Sequence, residues 1–526
     1  MTEGRAISFV SWLAIAAMAA LTLATCLQAF MFPLELELRE GTVWLHVLAQ
    51  RAGISIYDHD QVAFVNQNHG PLDPLLKHWL ATLLPFLTPA MVTRFFVVAL
   101  PLGLCLALKR AAGGNLAAAL AWTFGLQLLL LGLQPPHFLL GRSDPTALFF
   151  FALMLWSAAA AENEVPASAG KSPLLRHAVT GALGALSLAA NWRNFPAVGA
   201  VLVAFTAESL AAAPTVRRFT TAWRMTGAMS LGVLAPFALI IVIQFHGDLD
   251  LYGRHFFGFF SAASGWGSTR AEAFSLVPSA LVTSHWLLHA GALAALALGL
   301  VFPTDRVPRA LQTWVWLPLL ALLWVTCSVA YYLNHGGGGL HYYAAFYVLL
   351  AFHLARAIDW SRVGWPGVRL AIPAALVVGL PWTTAWQQCA TLARSSESAH
   401  AFLQVCRETA GGAPIYSEDY QFFKVRYRGE RVDKGDEVFS VSRTRYFGPA
   451  FTATAERAFA ELENNPPPFV LTGGCGSPTL QALLARAYTP TLRVPYVAGP
   501  FAGPAQTLFR LKPTAPPPVP QQTIVP

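Results

Sequence analysis

The sequence predicts an all-α polytopic membrane domain of about eleven transmembrane helices, several of them shorter than the ~20 residues a perpendicular helix needs to span a bilayer, followed by a small C-terminal α/β domain outside the membrane. Three observations carry this. Of 526 residues, 55% are hydrophobic and only 12% are charged, a balance too apolar for a soluble chain. The apolar residues gather into runs that recur at membrane-crossing length. Beyond residue 389 charged residues become frequent, and helix-like and strand-like periodicities alternate. The formal net charge of +8 does not point to nucleic acid, because Lys and Arg sit in short clusters between apolar runs rather than on one face.

Taken in order, the N-terminal run exceeds the core of a cleaved signal and reads as a retained first span over 7–31. Further runs predict spans at 92–108, 115–133, 145–161, 177–190, 195–213, 225–245, 277–302, 311–333, 341–358 and 367–388. The stretch 70–89, GPLDPLLKHWLATLLPFLTP, carries four prolines and reads as interfacial helices rather than a further span. Arg5, Lys109, Arg110, Arg176, Arg217, Arg218, Arg306, Arg309 and Arg356 fall on the N-terminal side, in segments richer in cations than the longer loops opposite. Positive residues mark the cytoplasmic side, so the N-terminus is expected inside. An odd number of spans then carries the tail out, into the periplasm of a bacterial inner membrane.

The expected organisation is a transmembrane domain over 1–388 with an external first loop at 32–91, and a periplasmic α/β domain over 389–512. Residues 513–526, PTAPPPVPQQTIVP, cannot form a core and read as a disordered tail. Cys26, Cys105 and Cys327 lie in apolar spans as packing residues. Among Cys389, Cys406 and Cys475 one pair is a candidate disulfide if that region is outside the cytoplasm.

The links assigned to the cytoplasm are plain connectors, whereas the external ones hold the unusual residues. The first loop alternates Glu35, Glu37, Glu40, Asp58, Asp60, His69 and Asp73 with bulky apolar residues, as the wall of a site half sunk in the interface would. QPPHFLLGRSD (134–144), NWRN (191–194), 246–270 and NHGGGGLHYY (334–343) lie on the same predicted side. Glu40 has two readings: a catalytic carboxylate, or an acid stabilising the first turn of its own helix. Asp58 and Asp60 read equally as metal or sugar contacts and as an Asx-type turn. Arg142 and Asp144 either pair and cap the following helix or present a phosphate-binding guanidinium oriented by its neighbouring acid. Arg193, between two apolar runs, favours a lipid-phosphate contact, since a cation so placed is costly unless paired or functional. Tyr342 and Tyr343 read as interfacial anchors or site residues.

The order of these motifs (an "EG" acid after the first span, a tyrosine-aspartate step at Tyr57 and Asp58, GPL with PLL, GRSD, then HYY) resembles the GT-C class of membrane glycosyltransferases. The likeness is to bacterial relatives of the protein O-mannosyltransferases and lipid A aminoarabinose transferases. The resemblance implies transfer of a sugar, with inversion, from a polyprenyl-phosphate donor to a glycan, lipid or protein acceptor at the external face. A single displacement needs one carboxylate to take the acceptor proton, and cations to hold the departing phosphate. It implies Glu40 or Glu37 as that base, and Arg142, Asp144, Arg193, His341, Tyr342, Asp58 and His69 around donor phosphate and substrate. Arg39 stands where members of the class carry an aspartate. An acid pair for a divalent cation, magnesium or manganese, is therefore incomplete unless Glu37 supplies the second carboxylate; the sequence allows such a cation without establishing it. Two rival readings are an O-antigen polymerase or ligase, which leans on external arginines, and a lipid-linked-sugar transporter, which is expected to show pseudo-repeats absent here.

Overall fold

The computed structural model describes residues 2–36, 38–57, 70–132, 137–160, 173–212, 218–253, 270–278, 289, 293, 307–333, 340–357, 382–413, 415–417, 463, 464, 466–473, 478–494 and 506–513. Helices dominate: α1 (Thr2–Met31), α2 (Leu38–Arg51), α3 (Leu72–Leu83), α4 (Pro89–Thr93), α5 (Phe95–Ala111), α6 (Leu116–Gly132), α7 (Ser143–Ala160), α8 (Pro173–Ala190), α9 (Phe195–Ala212), α10 (Arg218–Phe245), α11 (Arg270–Leu276), α12 (Leu317–Leu333), α13 (Ala344–Ala357), α14 (Trp382–Ala410) and α15 (Pro478–Ala487). Among the described residues five helical stretches are long and apolar enough to cross a membrane: Trp12–Met31, Pro89–Ala111, Trp192–Ala211, Trp223–Phe245 and Arg309–Leu333. Leu116–Gly132, Ser143–Ala159 and Leu174–Ala190 are shorter apolar helices. The expected spans at 277–302 and 367–388 lie largely outside the described residues.

These helices are apolar around their whole circumference. On α10, Met229 and Ile240 are buried while Trp223, Leu231, Leu234 and Val242 point outward, as on a helix whose outer face meets hydrocarbon. Small residues let α8 and α10 approach closely: a Cβ on Gly181 would stand 2.3 Å from the Met229 carbonyl oxygen, and one on Gly232 2.0 Å from that of Ala178. One continuous core joins α1, α5, α6, α7, α9, α12, α13 and α14 through Leu100, Leu128, Phe151, Val201, Leu320, Phe352 and Leu392. The proline-rich stretch 70–89 forms α3 and the start of α4, broken at Leu84 and Pro85, rather than a single span.

Helix α14 runs unbroken through the expected domain boundary at 388/389. Its first half is tied to the bundle, with Gln388 Nε2 donating to the Leu131 carbonyl at 3.0 Å and Cys389 Sγ to Gln28 Oε1 at 3.2 Å. Cys389 and Cys406 are free thiols; on one helix they stand about 25 Å apart at ~1.5 Å per residue, so they cannot bond to each other. Cys475 lies outside the described residues. Beyond α14 a four-stranded sheet has the order β1 (Ile415–Ser417), β2 (Phe469–Thr472), β4 (Gln506–Leu511), β3 (Tyr488–Val494). β1 pairs parallel with β2, and the other two pairings are antiparallel. α15 covers it through Leu480, Leu483 and Leu484, packed with Tyr416, Val470 and Tyr488. Tyr488 opens β3, and its buried hydroxyl donates to the Pro467 carbonyl at 2.7 Å.

Where α9 and α13 end and α12 begins, one ion pair is buried. Arg356 Nη2 meets Glu208 Oε2 at 3.0 Å, Trp316 Nε1 donates to Glu208 Oε1 at 2.6 Å, and the guanidinium lies 4.9 Å from the Phe205 ring centre. Glu208→Leu alone is expected to destabilise the protein by about 3–5 kcal/mol, because it strips a buried cation of its carboxylate. The double replacement with Arg356→Met is expected to recover most of that loss; thermal midpoints in detergent check both.

Candidate active site at one end of the bundle

The end of α1, the starts of α5 and α7, and the link between α8 and α9 converge at the other end of the bundle. There the chain passes from α1 through Leu34, Glu35 and Leu36, all buried, into α2. Glu40 lies in the first turn of α2, where its Oε2 reaches back to accept the Leu36 N–H at 2.6 Å. Arg94, at the junction of α4 and α5, grips the same carboxylate with both prongs, Nε to Oε1 at 2.8 Å and Nη2 to Oε2 at 2.5 Å. Its guanidinium also donates to the carbonyls of Ala29 (2.8 Å), Phe32 (2.7 Å) and Leu34 (2.5 Å), thereby capping the C-terminus of α1, whose last carbonyls have no partner within the helix. The Gly141 N–H completes the set, donating to Glu40 Oε1 at 2.5 Å.

In this geometry Glu40 is engaged with Arg94 and the backbone rather than turned to solvent. The residue is 0% exposed and its two oxygens accept four hydrogen bonds. A general base needs a lone pair within reach of the acceptor hydroxyl, and here the lone pairs face Arg94 and two backbone amides.

A second buried pair lies alongside. On α3, Lys77 Nζ bonds Asp73 Oδ2 at 2.7 Å, the Gly141 carbonyl at 2.9 Å and the Arg142 carbonyl at 3.4 Å. Asp73 Oδ1 accepts from Thr146 Oγ1 at 2.5 Å. Burial pulls the Lys77 ammonium below its ordinary range, and the Asp73 carboxylate opposes the fall.

Beyond these pairs lies a cluster of basic side chains grouped about Asp144. Residues 137–139 form a 3-10 turn, and Arg142 and Asp144 follow it into the first turn of α7. Arg142 Nη1 is 2.6 Å from His137 Nδ1, and its Nε is 3.7 Å from Asp144 Oδ2. Asn191 ends α8 and accepts the Arg193 N–H with its side-chain oxygen at 3.1 Å. Its Nδ2 donates to Asp144 Oδ1 at 3.1 Å. Arg193 Nη1 is held 3.4 Å from Asp144 Oδ1 and 2.9 Å from His341 Nε2, with the guanidinium 5.0 Å from the Tyr342 ring centre. The His137 and His341 rings stand edge to face at 4.0 Å. Asp144, lying among Arg142, Arg193 and Asn191, is in reach of both guanidinium groups. The Arg193 side chain is 38% exposed, whereas Arg142 and Asp144 are nearly buried.

The structure thus joins Arg142, Asp144, Arg193, His341 and Tyr342, drawn from three distant stretches of sequence. Glu40 lies behind them, linked through Gly141. Glu37, Asp58 and His69 fall outside the described residues. Sequence reasoning missed His137, Asn191 and the roles of Lys77 and Arg94. Asn191 and His137 stood in loops already singled out, and Asp73 and Lys77 had the i, i+4 spacing of a helical ion pair. Among the described residues no group of three or more His, Cys, Asp or Glu converges as a metal site.

Fold and site together define a polytopic helical membrane protein with a cationic centre at one end. A crystal structure of ArnT from Cupriavidus metallidurans bound to undecaprenyl phosphate superposes with a TM-score of 0.51 at 15% identity, over 93% of this chain and 97% of that one. The apo structure of the same protein gives 0.49 at 14% identity, over 94% and 98%. An oligosaccharyltransferase from Archaeoglobus fulgidus, in complex with Zn and sulfate, gives 0.40 at 11% identity, over 72% of this chain and 53% of that one. No protein-family model and no curated protein sequence matches the chain. The chain has the GT-C fold that its motifs resemble, and the first of these superpositions carries that assignment.

Proposed function

We propose that this protein is an integral membrane glycosyltransferase that takes a sugar from a polyprenyl-phosphate donor and passes it, with inversion, to an acceptor on the periplasmic face of a bacterial inner membrane. The observation that carries the reading is the cluster of Arg142, Arg193, His137 and His341 about the carboxylate of Asp144, its half-exposed Arg193 held in place from three sides. In the reaction the acceptor hydroxyl oxygen bonds to the anomeric carbon as the bond from that carbon to the phosphate oxygen breaks. The bonding pair leaves with the phosphate, whose added negative charge falls to Arg193 and Arg142. Charge stabilisation of this kind, preorganised before the reaction, is a large term in catalysis. The acceptor proton goes to a carboxylate of the first loop; with Glu40 committed to Arg94, that role passes to Glu37. In this orientation the N-terminus is cytoplasmic and the sheet beyond α14 periplasmic, as the distribution of basic residues favours.

The test is release of free polyprenyl phosphate from a panel of radiolabelled lipid-linked sugars by protein in nanodiscs. Wild type is expected to turn over at least one donor, and Glu37→Gln to lose about 10²–10⁴-fold in kcat, the range for a general base. Lipid movement across vesicles without any release would overturn the reading in favour of a transporter.

A further inference from the structure

We infer that α3 is a positioning element that fixes the separation of the two arginines, with Lys77 as its key positioning residue. This deepens the proposed function and rests on the reading of Arg142 and Arg193 as the phosphate-binding cations. Residues 140–142 lie between a 3-10 turn and a helix; the Leu140 N–H closes the turn on the His137 carbonyl at 3.3 Å, and the polar backbone groups that follow need partners from other elements. Gly141 is gripped from both sides, its N–H by Glu40 and its carbonyl by Lys77, which also reaches the Arg142 carbonyl. Gly141 has no room to shift toward α4, since a Cβ there would meet the Thr93 side chain at 2.8 Å.

The same helix holds the other arginine's segment at its opposite end. Gly70 N–H, just before α3, donates to the Ala190 carbonyl at 3.0 Å, one residue before the Asn191 that orients Arg193. A Cβ on Gly70 would lie 1.9 Å from the Ala189 carbonyl oxygen, so this approach admits only glycine. Asp73, between the two anchors, ties α3 to Thr146 in the first turn of α7. A fully buried Lys–Asp pair is an expensive way to stabilise a helix, and an apolar pair of similar volume serves stability as well or better. What the apolar pair cannot do is donate to two successive carbonyls beside Arg142. Lys77 therefore acts on the anion site through Arg142, touching no substrate itself.

The experiment compares wild type, Lys77→Met, Arg142→Ala and the double variant in nanodiscs by two readouts: affinity for undecaprenyl phosphate, and hydrogen exchange of residues 137–142. Lys77→Met is expected to speed exchange of that segment by at least about tenfold while α5 and the body of α7 keep their protection. It is expected to weaken undecaprenyl phosphate binding by about 10–100-fold, as misplacement of a recognition group does. Because Lys77 works through Arg142, the double variant is expected to bind no more weakly than Arg142→Ala alone. Additive losses, or exchange in 137–142 unchanged by Lys77→Met, would overturn the inference. If Lys77→Met does not fold, Thr146→Val, which removes only the Thr146 bond to Asp73, takes its place under the same criteria. If wild type does not bind undecaprenyl phosphate, the functional reading fails, and the exchange data alone still decide whether Lys77 holds the segment.

Discussion

Arg193→Ala is expected to lower the rate of sugar transfer by about 10²–10³-fold, the loss seen when one preorganised donor to developing negative charge is removed. The effect on stability is expected to be small, about 1 kcal/mol or less, because the side chain is 38% exposed and Asp144 retains Arg142 and Asn191. Arg193→Lys keeps the charge but not the planar fork set against Asp144 and His341, and an intermediate rate is expected. Steady-state release of polyprenyl phosphate, with circular dichroism and thermal midpoints on the same samples, checks all three statements. A folded Arg193→Ala protein with wild-type turnover would remove the cluster from the mechanism.

Glu40→Gln is expected to do the reverse, acting on stability first. An amide in that pocket turns a donor toward Arg94, Leu36 N–H or Gly141 N–H, each already a donor, and leaves the Arg94 cation buried without its carboxylate. Breaking a buried pair in this way costs about 3–5 kcal/mol. Joint replacement by Glu40→Leu and Arg94→Met is expected to recover part of that stability. The recovery is incomplete because the Ala29, Phe32 and Leu34 carbonyls lose their donor. Denaturation midpoints and turnover per folded molecule separate the two roles: stable Glu40→Gln protein with abolished turnover would restore Glu40 as the base.

The same pair shows where the sequence could be read and where it could not. Polar residues interrupting apolar runs at GRSDP, NWRN and HYY were visible as a set, because each is costly in a membrane unless it has work to do. Their convergence follows from the alternation of helix direction, which returns α7, α9 and α13 to one end. The partner of Glu40 was not legible. Arg94 lies in a different helix pair, and one exposed acid and one buried acid in an "EG" step look alike in sequence. Only the count of donors around the carboxylate distinguishes a base from a clamp. The alternation of helix and strand after α14 was legible from its periodicities, whereas the strand order, with β4 between β2 and β3, depends on pairings between distant segments.

The most direct measurement is a cryo-electron microscopy structure of the protein in nanodiscs with undecaprenyl phosphate. The account predicts phosphate density within hydrogen-bond distance of the Arg193 guanidinium, with Arg142 and His341 beside it. Phosphate bound at the Glu208 and Arg356 end of the bundle, or held without Arg193, would contradict it.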